Sequence, residues 1–138
     1  MSTSVTARKR NPQQKLILWD LLATLFCALF GAVYERFSHG VYAYGMLYAF
    51  VFPLVLGVTP LLLIAMLRAP YPCRFARSVS HAGIATLTVG SLVSGALEIY
   101  GTSNPLTLVY WIAGGMLAAL GAAVYLVSLL RSRKQTLA

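Results

Sequence analysis

The sequence predicts an all-α fold, a polytopic membrane four-helix bundle forming one domain over 1–138, and three observations predict it. Four apolar runs are long enough to cross a bilayer. The chain is 59% hydrophobic and 10% charged, and its charges collect at the chain ends and in one central loop. A soluble domain covers its core with roughly a quarter charged residues, so a chain of this composition needs lipid as its solvent.

A helical crossing of the hydrocarbon core takes about 20 apolar residues. The runs that supply them are approximately 16–34, 42–67, 79–99 and 106–130. Asn11-Pro12 and Asn104-Pro105 each place a capping side chain ahead of a proline at the first helical position, where its missing N–H costs nothing. Gly40, Pro70 and Gly101 mark turns. The second run carries Pro53 and Pro60 and exceeds an untilted crossing, so it is read as tilted or kinked. The basic lead of the first run also suits a signal peptide, but the run is long and no small-x-small site follows it, so it is read as retained.

Orientation follows from the cations. Arg8, Lys9, Arg10 and Lys15 precede the first run, Arg68, Arg74 and Arg77 lie between the second and third, and Arg131, Arg133 and Lys134 follow the fourth. Arg36 alone falls on the other side. The positive-inside rule then puts tails 1–15 and 131–138 in the cytoplasm of a cell whose inner (plasma) membrane the protein crosses. The same ten residues are placed to meet anionic lipid head groups. A net charge of +8 does not point to nucleic acid, because a binding groove needs cations spread over a folded surface with stacking aromatics among them.

Each run also has a face. Asp20, Thr24, Cys27, Gly31, Glu35 and Ser38 recur at three- and four-residue steps on the first. The second offers Gly45, Ala49, Pro53 and Gly57, the third Gly83, Gly90, Ser94 and Glu98, and the fourth Thr107, Gly114, Ala118, Gly121 and Ser128. Small residues let membrane helices approach closely where lipid supplies no hydrophobic drive, which predicts a compact bundle. An offset of 63 residues brings Glu35 onto Glu98, Arg68 onto Arg131 and Leu16 onto Val79. This is compatible with two tandem helical hairpins in parallel repeat, although hairpins of equal length share span ends without duplication. Cys27, within a run, reads as a small packing residue, and pairing with Cys73 in the cytoplasmic loop is excluded by geometry and redox compartment.

The acids carry what chemistry there is. Asp20 lies near a positive helix end, where it complements the dipole and reaches the interface beside Trp19. Glu35 and Glu98 sit near helix C-termini, where the dipole disfavours a carboxylate; external water or a specific partner can compensate. With His39 one turn from Glu35, they form a candidate outward-facing ion or proton site: Glu35, His39, Glu98, and Asp20 from the other side. Three ligands without defined spacing do not make a metal site, and neither a metal nor a cofactor is expected. His81, at the cytoplasmic start of the third run, reads as a lipid-facing or cap-like residue.

The stretch "YERFSHGVYAYGMLYAFVFP" resembles a segment of a functionally uncharacterised family of small four-span integral membrane proteins of bacteria. The resemblance implies a four-span bacterial membrane protein and carries no site residues across. Three functional classes follow from the residues themselves. A structural or accessory membrane subunit needs only the packed helices, with lipid and a homo-oligomer or larger membrane complex as partners. A small oligomeric transporter or channel for a proton, cation or small solute would use Asp20, Glu35 and Glu98. An enzyme is disfavoured, since the histidines are on opposite sides and no nucleophile elbow, HExxH or phosphate loop is present.

Overall fold

A computed structural model of the chain describes residues 12–38, 40 and 42–137, the side chains of 135–137 excepted, and over these residues it is helical and without strands. Arg8, Lys9, Arg10, Asn11 and His39 lie outside the described residues. Three helices are long and apolar enough to cross a membrane. The first, α1 (Pro12–Phe37), opens on the proline that the sequence marks as its first position.

The second apolar run is broken rather than merely bent. A single turn, α2 (Tyr44–Leu47), is followed by non-helical turns at 48–50, a π-helical segment over Pro53–Val58, and α3 (Thr59–Met66). Pro60 explains the widened register: it has no N–H to give, and its ring excludes the carbonyl four residues back, that of Leu56. In the widened register the Thr59 N–H and hydroxyl both reach the Leu54 carbonyl, the hydroxyl at 3.1 Å.

Arg68, at φ 50°, turns the chain out of α3. Cys73 then caps α4 (Arg74–Ile99), its Sγ accepting the Ala76 N–H at 3.4 Å. Gly101, at φ +70°, ends that helix. Asn104 caps ahead of Pro105 as expected, its Oδ1 accepting the Leu106 N–H at 3.0 Å; a tight turn, in which the Thr107, Leu108 and Val109 N–H groups reach the carbonyls three residues back, then leads into α5 (Thr107–Leu137).

Small residues set the packing. α4 and α5 run antiparallel in close contact, with Gly83 against the Gly114 carbonyl and Ala118, Gly90 under Tyr110, and Gly121 under Ser80 and the Ala76 carbonyl. A Cβ on Gly90 would stand 2.5 Å from that of Tyr110, so only glycine permits this approach. The face of α4 differs from the expected Gly83, Gly90, Ser94 and Glu98. Gly83, Leu87 and Gly90 meet α5, whereas Ser91 and Gly95 meet α2, the Ser91 hydroxyl donating to the Gly45 carbonyl; Glu98 lies on neither contact. On α1, Gly31 lies under the Met46 carbonyl.

These contacts place the elements in a row: α1, the broken second segment, α4, α5. The backbone of α5 comes within 8 Å, Cα to Cα, of α4 and of no other helical element among the described residues. The compact, closed bundle expected from the small faces is therefore opened between α3 and α5.

Candidate functional site: a groove backed by a buried acid

Asp20 is the best-buried charged side chain among the described residues, at 7% exposed. Its backbone is held in α1, with the Thr24 hydroxyl donating to its carbonyl at 2.8 Å. Its carboxylate leaves α1 toward the second segment, where Gly57 makes room for it. His81 Nδ1 approaches Asp20 Oδ1 at 3.3 Å. The other oxygen, Oδ2, has no hydrogen-bond partner among the described residues. The contact is an ion pair when the imidazole is protonated and a hydrogen bond when Nδ1 carries the proton of the neutral ring.

Two further groups adjoin the pair. Arg77 lies one turn before His81 on α4, its guanidinium carbon 5.9 Å from the centre of the Tyr71 ring, a cation–π arrangement. The Tyr71 hydroxyl is buried, with Arg77 the cation beside it. Burial pushes the Tyr71 phenol up from its ordinary range; the nearby Arg77 opposes this and the negative charge of Asp20 adds to it. Tyr71 therefore stays neutral at physiological pH.

His81 and Arg77 also form part of the wall of a cavity. Between α3 and α5, over the floor that α4 provides, runs a groove of about 420 Å³, within the range of about 300–1,000 Å³ common for small-molecule sites. Leu61 and Ile64 line it from α3, Leu67 from the turn that follows, and Ala118, Ala122 and Leu129 from α5. Above it the Phe52 and Trp111 rings meet edge to face at 5.6 Å. At the other end the Tyr125 hydroxyl donates to the Pro70 carbonyl at 3.1 Å. The lining is apolar except for Arg77, Ser80 and His81 from α4 and Tyr125 from α5; Arg77 reaches toward Tyr71 at the end near the basic residues, and His81 toward Asp20 and Gly57 deeper in. Asp20 stays outside the groove, behind Gly57 and His81.

The residues expected to form an outer site are arranged otherwise. Tyr34 and Tyr100 interact at the far end of α1 and α4, and Glu35 and Glu98 adjoin them in sequence, Glu35 half-buried and Glu98 exposed. Neither has an ion-pair partner among the described residues. No three His, Cys, Asp or Glu side chains among the described residues come together as metal ligands. Asp20 is about 22 Å away from Glu35 along α1 at the helical rise, so the acids do not make one site; His39 is outside the described residues.

The assignment of His81 as a lipid-facing or cap-like residue is corrected by its contact with Asp20, and the expected reach of Asp20 to the interface by its burial. One signal could have joined them. Both residues lie within a turn or two of the basic end of their helices, and the predicted topology already runs those helices in the same direction. Tyr71 carried no pattern and was missed. Lys15, Arg68, Arg74, Arg131, Arg133 and Lys134 are exposed, and Arg77 is half-buried. No protein-family model matches the chain, and no curated protein or solved structure matches it either.

Proposed function

We propose that this chain is a four-span integral protein of a bacterial plasma membrane, with both termini cytoplasmic, that serves as a non-catalytic accessory subunit by holding an apolar chain in the groove between α3 and α5. In this reading Tyr44–Met66 supplies the fourth crossing, and the basic end faces the cytoplasm. The observation that carries it is the groove: an apolar-walled opening between two helices otherwise separated, in a molecule whose remaining helix contacts are tight enough to require glycine. Packed small-residue interfaces leave no such space unless something fills it.

Native mass spectrometry of the protein extracted from membranes tests this. The expected result is a co-retained lipid that is lost in Ala122→Trp, which fills the groove, and kept in Gly115→Trp, where a Cβ meets nothing within 4 Å. Equal retention in the two variants sinks the reading.

The free Oδ2 of Asp20 favours a second reading, in which this carboxylate carries a proton or cation for a small transporter or channel. Vesicles containing the protein would then relax an imposed pH or cation gradient, and Asp20→Asn would stop them; relaxation no faster than in empty vesicles removes this reading.

A further inference from the structure

The groove has chemistry as well as shape, and its chemistry is graded along its length. Residues 118 to 129 of α5 line it over about 16 Å of helix, close to half of a hydrocarbon core that is about 30 Å thick. Its apolar walls thus cover one leaflet. Arg77 enters from the first turn of α4, its guanidinium near Tyr71 at the end where every described cation except Arg36 is found, whereas His81 enters deeper, level with Gly57 and Ala118. The acid that would oppose an anion there, Asp20, is turned away behind Gly57 and already engaged by His81.

We propose that the groove selects an anionic membrane lipid: one acyl chain lies between α3 and α5, and the head-group phosphate rests on the Arg77 guanidinium. The proposal rests on the chain-holding reading above and adds the head group to it. The occupant is a lipid of the bilayer rather than a soluble anion, because the cationic end opens from an apolar slot of leaflet depth. Arg77 suits this role, since a guanidinium presents a planar fork of donors to phosphate oxygens. Its guanidinium carbon lies 5.9 Å from the centre of the Tyr71 ring, at that end of the groove.

The test uses the full chain in nanodiscs that contain phosphatidylglycerol or phosphatidylcholine, each bearing a photoreactive diazirine in an otherwise identical acyl chain. Labelled peptides are mapped by mass spectrometry. Phosphatidylglycerol should label the groove segments of α3 and α5 about five-fold more than phosphatidylcholine, the ratio expected for one cationic contact near a membrane surface. Arg77→Gln should bring the two lipids to equality, while unchanged phosphatidylcholine labelling shows that its groove persists. Arg77→Lys, which keeps the charge, should retain the preference. Equal labelling by the two lipids in the unmodified protein, or a preference that survives Arg77→Gln, overturns head-group selection and leaves chain holding intact. Labelling of neither lipid in the groove overturns chain holding itself.

Discussion

A Cβ on Gly57 would stand 3.1 Å from both the carboxylate carbon and Oδ2 of Asp20. The π-helical turn therefore brings an absent side chain against a charged one, and the buried acid fits because nothing occupies that place. Gly57→Ala should lower the midpoint of thermal unfolding in detergent, since the carboxylate must shift away from His81. The same substitution in an Asp20→Ala background should cost less, and a double-mutant cycle should give a coupling above about 0.5 kcal/mol. An additive cycle would mean that the two residues do not touch.

Removing His81 should harm the protein more than neutralising its partner. His81→Ala leaves the Asp20 carboxylate buried with neither oxygen bonded, at a cost of about 1–3 kcal/mol. Asp20→Asn removes the charge that needs compensation. Unfolding curves for both variants in one detergent check the order, and a milder effect for His81→Ala would contradict the pairing.

The interface of α4 with α5 depends on glycine. Gly90→Leu and Gly121→Leu should each destabilise by at least about 1–3 kcal/mol, the usual cost of overpacking a fitted contact. Val89→Leu, one position along on a side chain that is 47% exposed, should be nearly neutral. Comparable tolerance at all three positions would remove the close approach.

Glu35 and Glu98 should behave independently. The stabilities of Glu35→Gln, Glu98→Gln and the double variant should sum within about 0.5 kcal/mol, as for separate sites. A larger coupling term would restore the outer acid cluster that the sequence suggested.

Membrane orientation is checked by labelling single cysteines in a Cys27→Ser, Cys73→Ser background. An impermeant reagent added outside the cell should modify Ser103→Cys and spare Ser78→Cys. The opposite pattern would invert the topology.

What the sequence revealed follows from what kind of signal each feature leaves. Three long helices could be read from run length and composition, because the hydrophobic thickness of a bilayer dictates both. Gly31, Gly83, Gly90, Gly114 and Gly121 could be read as contact points because glycine recurs there at helical spacing. The break at 48–50 could not: Pro53 and Pro60 announced an irregularity, but no breaking residue marks Tyr48 or Ala49, and the turn arises from how α2 docks on Ser91 and Gly95. The partition of α4 into two faces was hidden for the same reason, since one stripe cannot show that two neighbours share a helix. The Asp20–His81 contact joins residues far apart in the chain and depends on the space at Gly57, a tertiary relation that no local pattern encodes. The groove is subtler still, being defined by where α3 and α5 fail to meet.

That separation offers the most direct check on the whole reading. Ile64 and Ala122 line opposite walls, and no residue of α3 comes within 8 Å of α5, Cα to Cα. A disulfide needs a separation below about 7 Å. With Ile64→Cys and Ala122→Cys introduced together in a chain lacking Cys27 and Cys73, copper-catalysed oxidation in membranes should give no cross-link, whereas a flexible bis-maleimide should join the pair. Rapid and complete disulfide formation would show that α3 closes onto α5, and with the groove gone neither the held chain nor its head-group selection would survive.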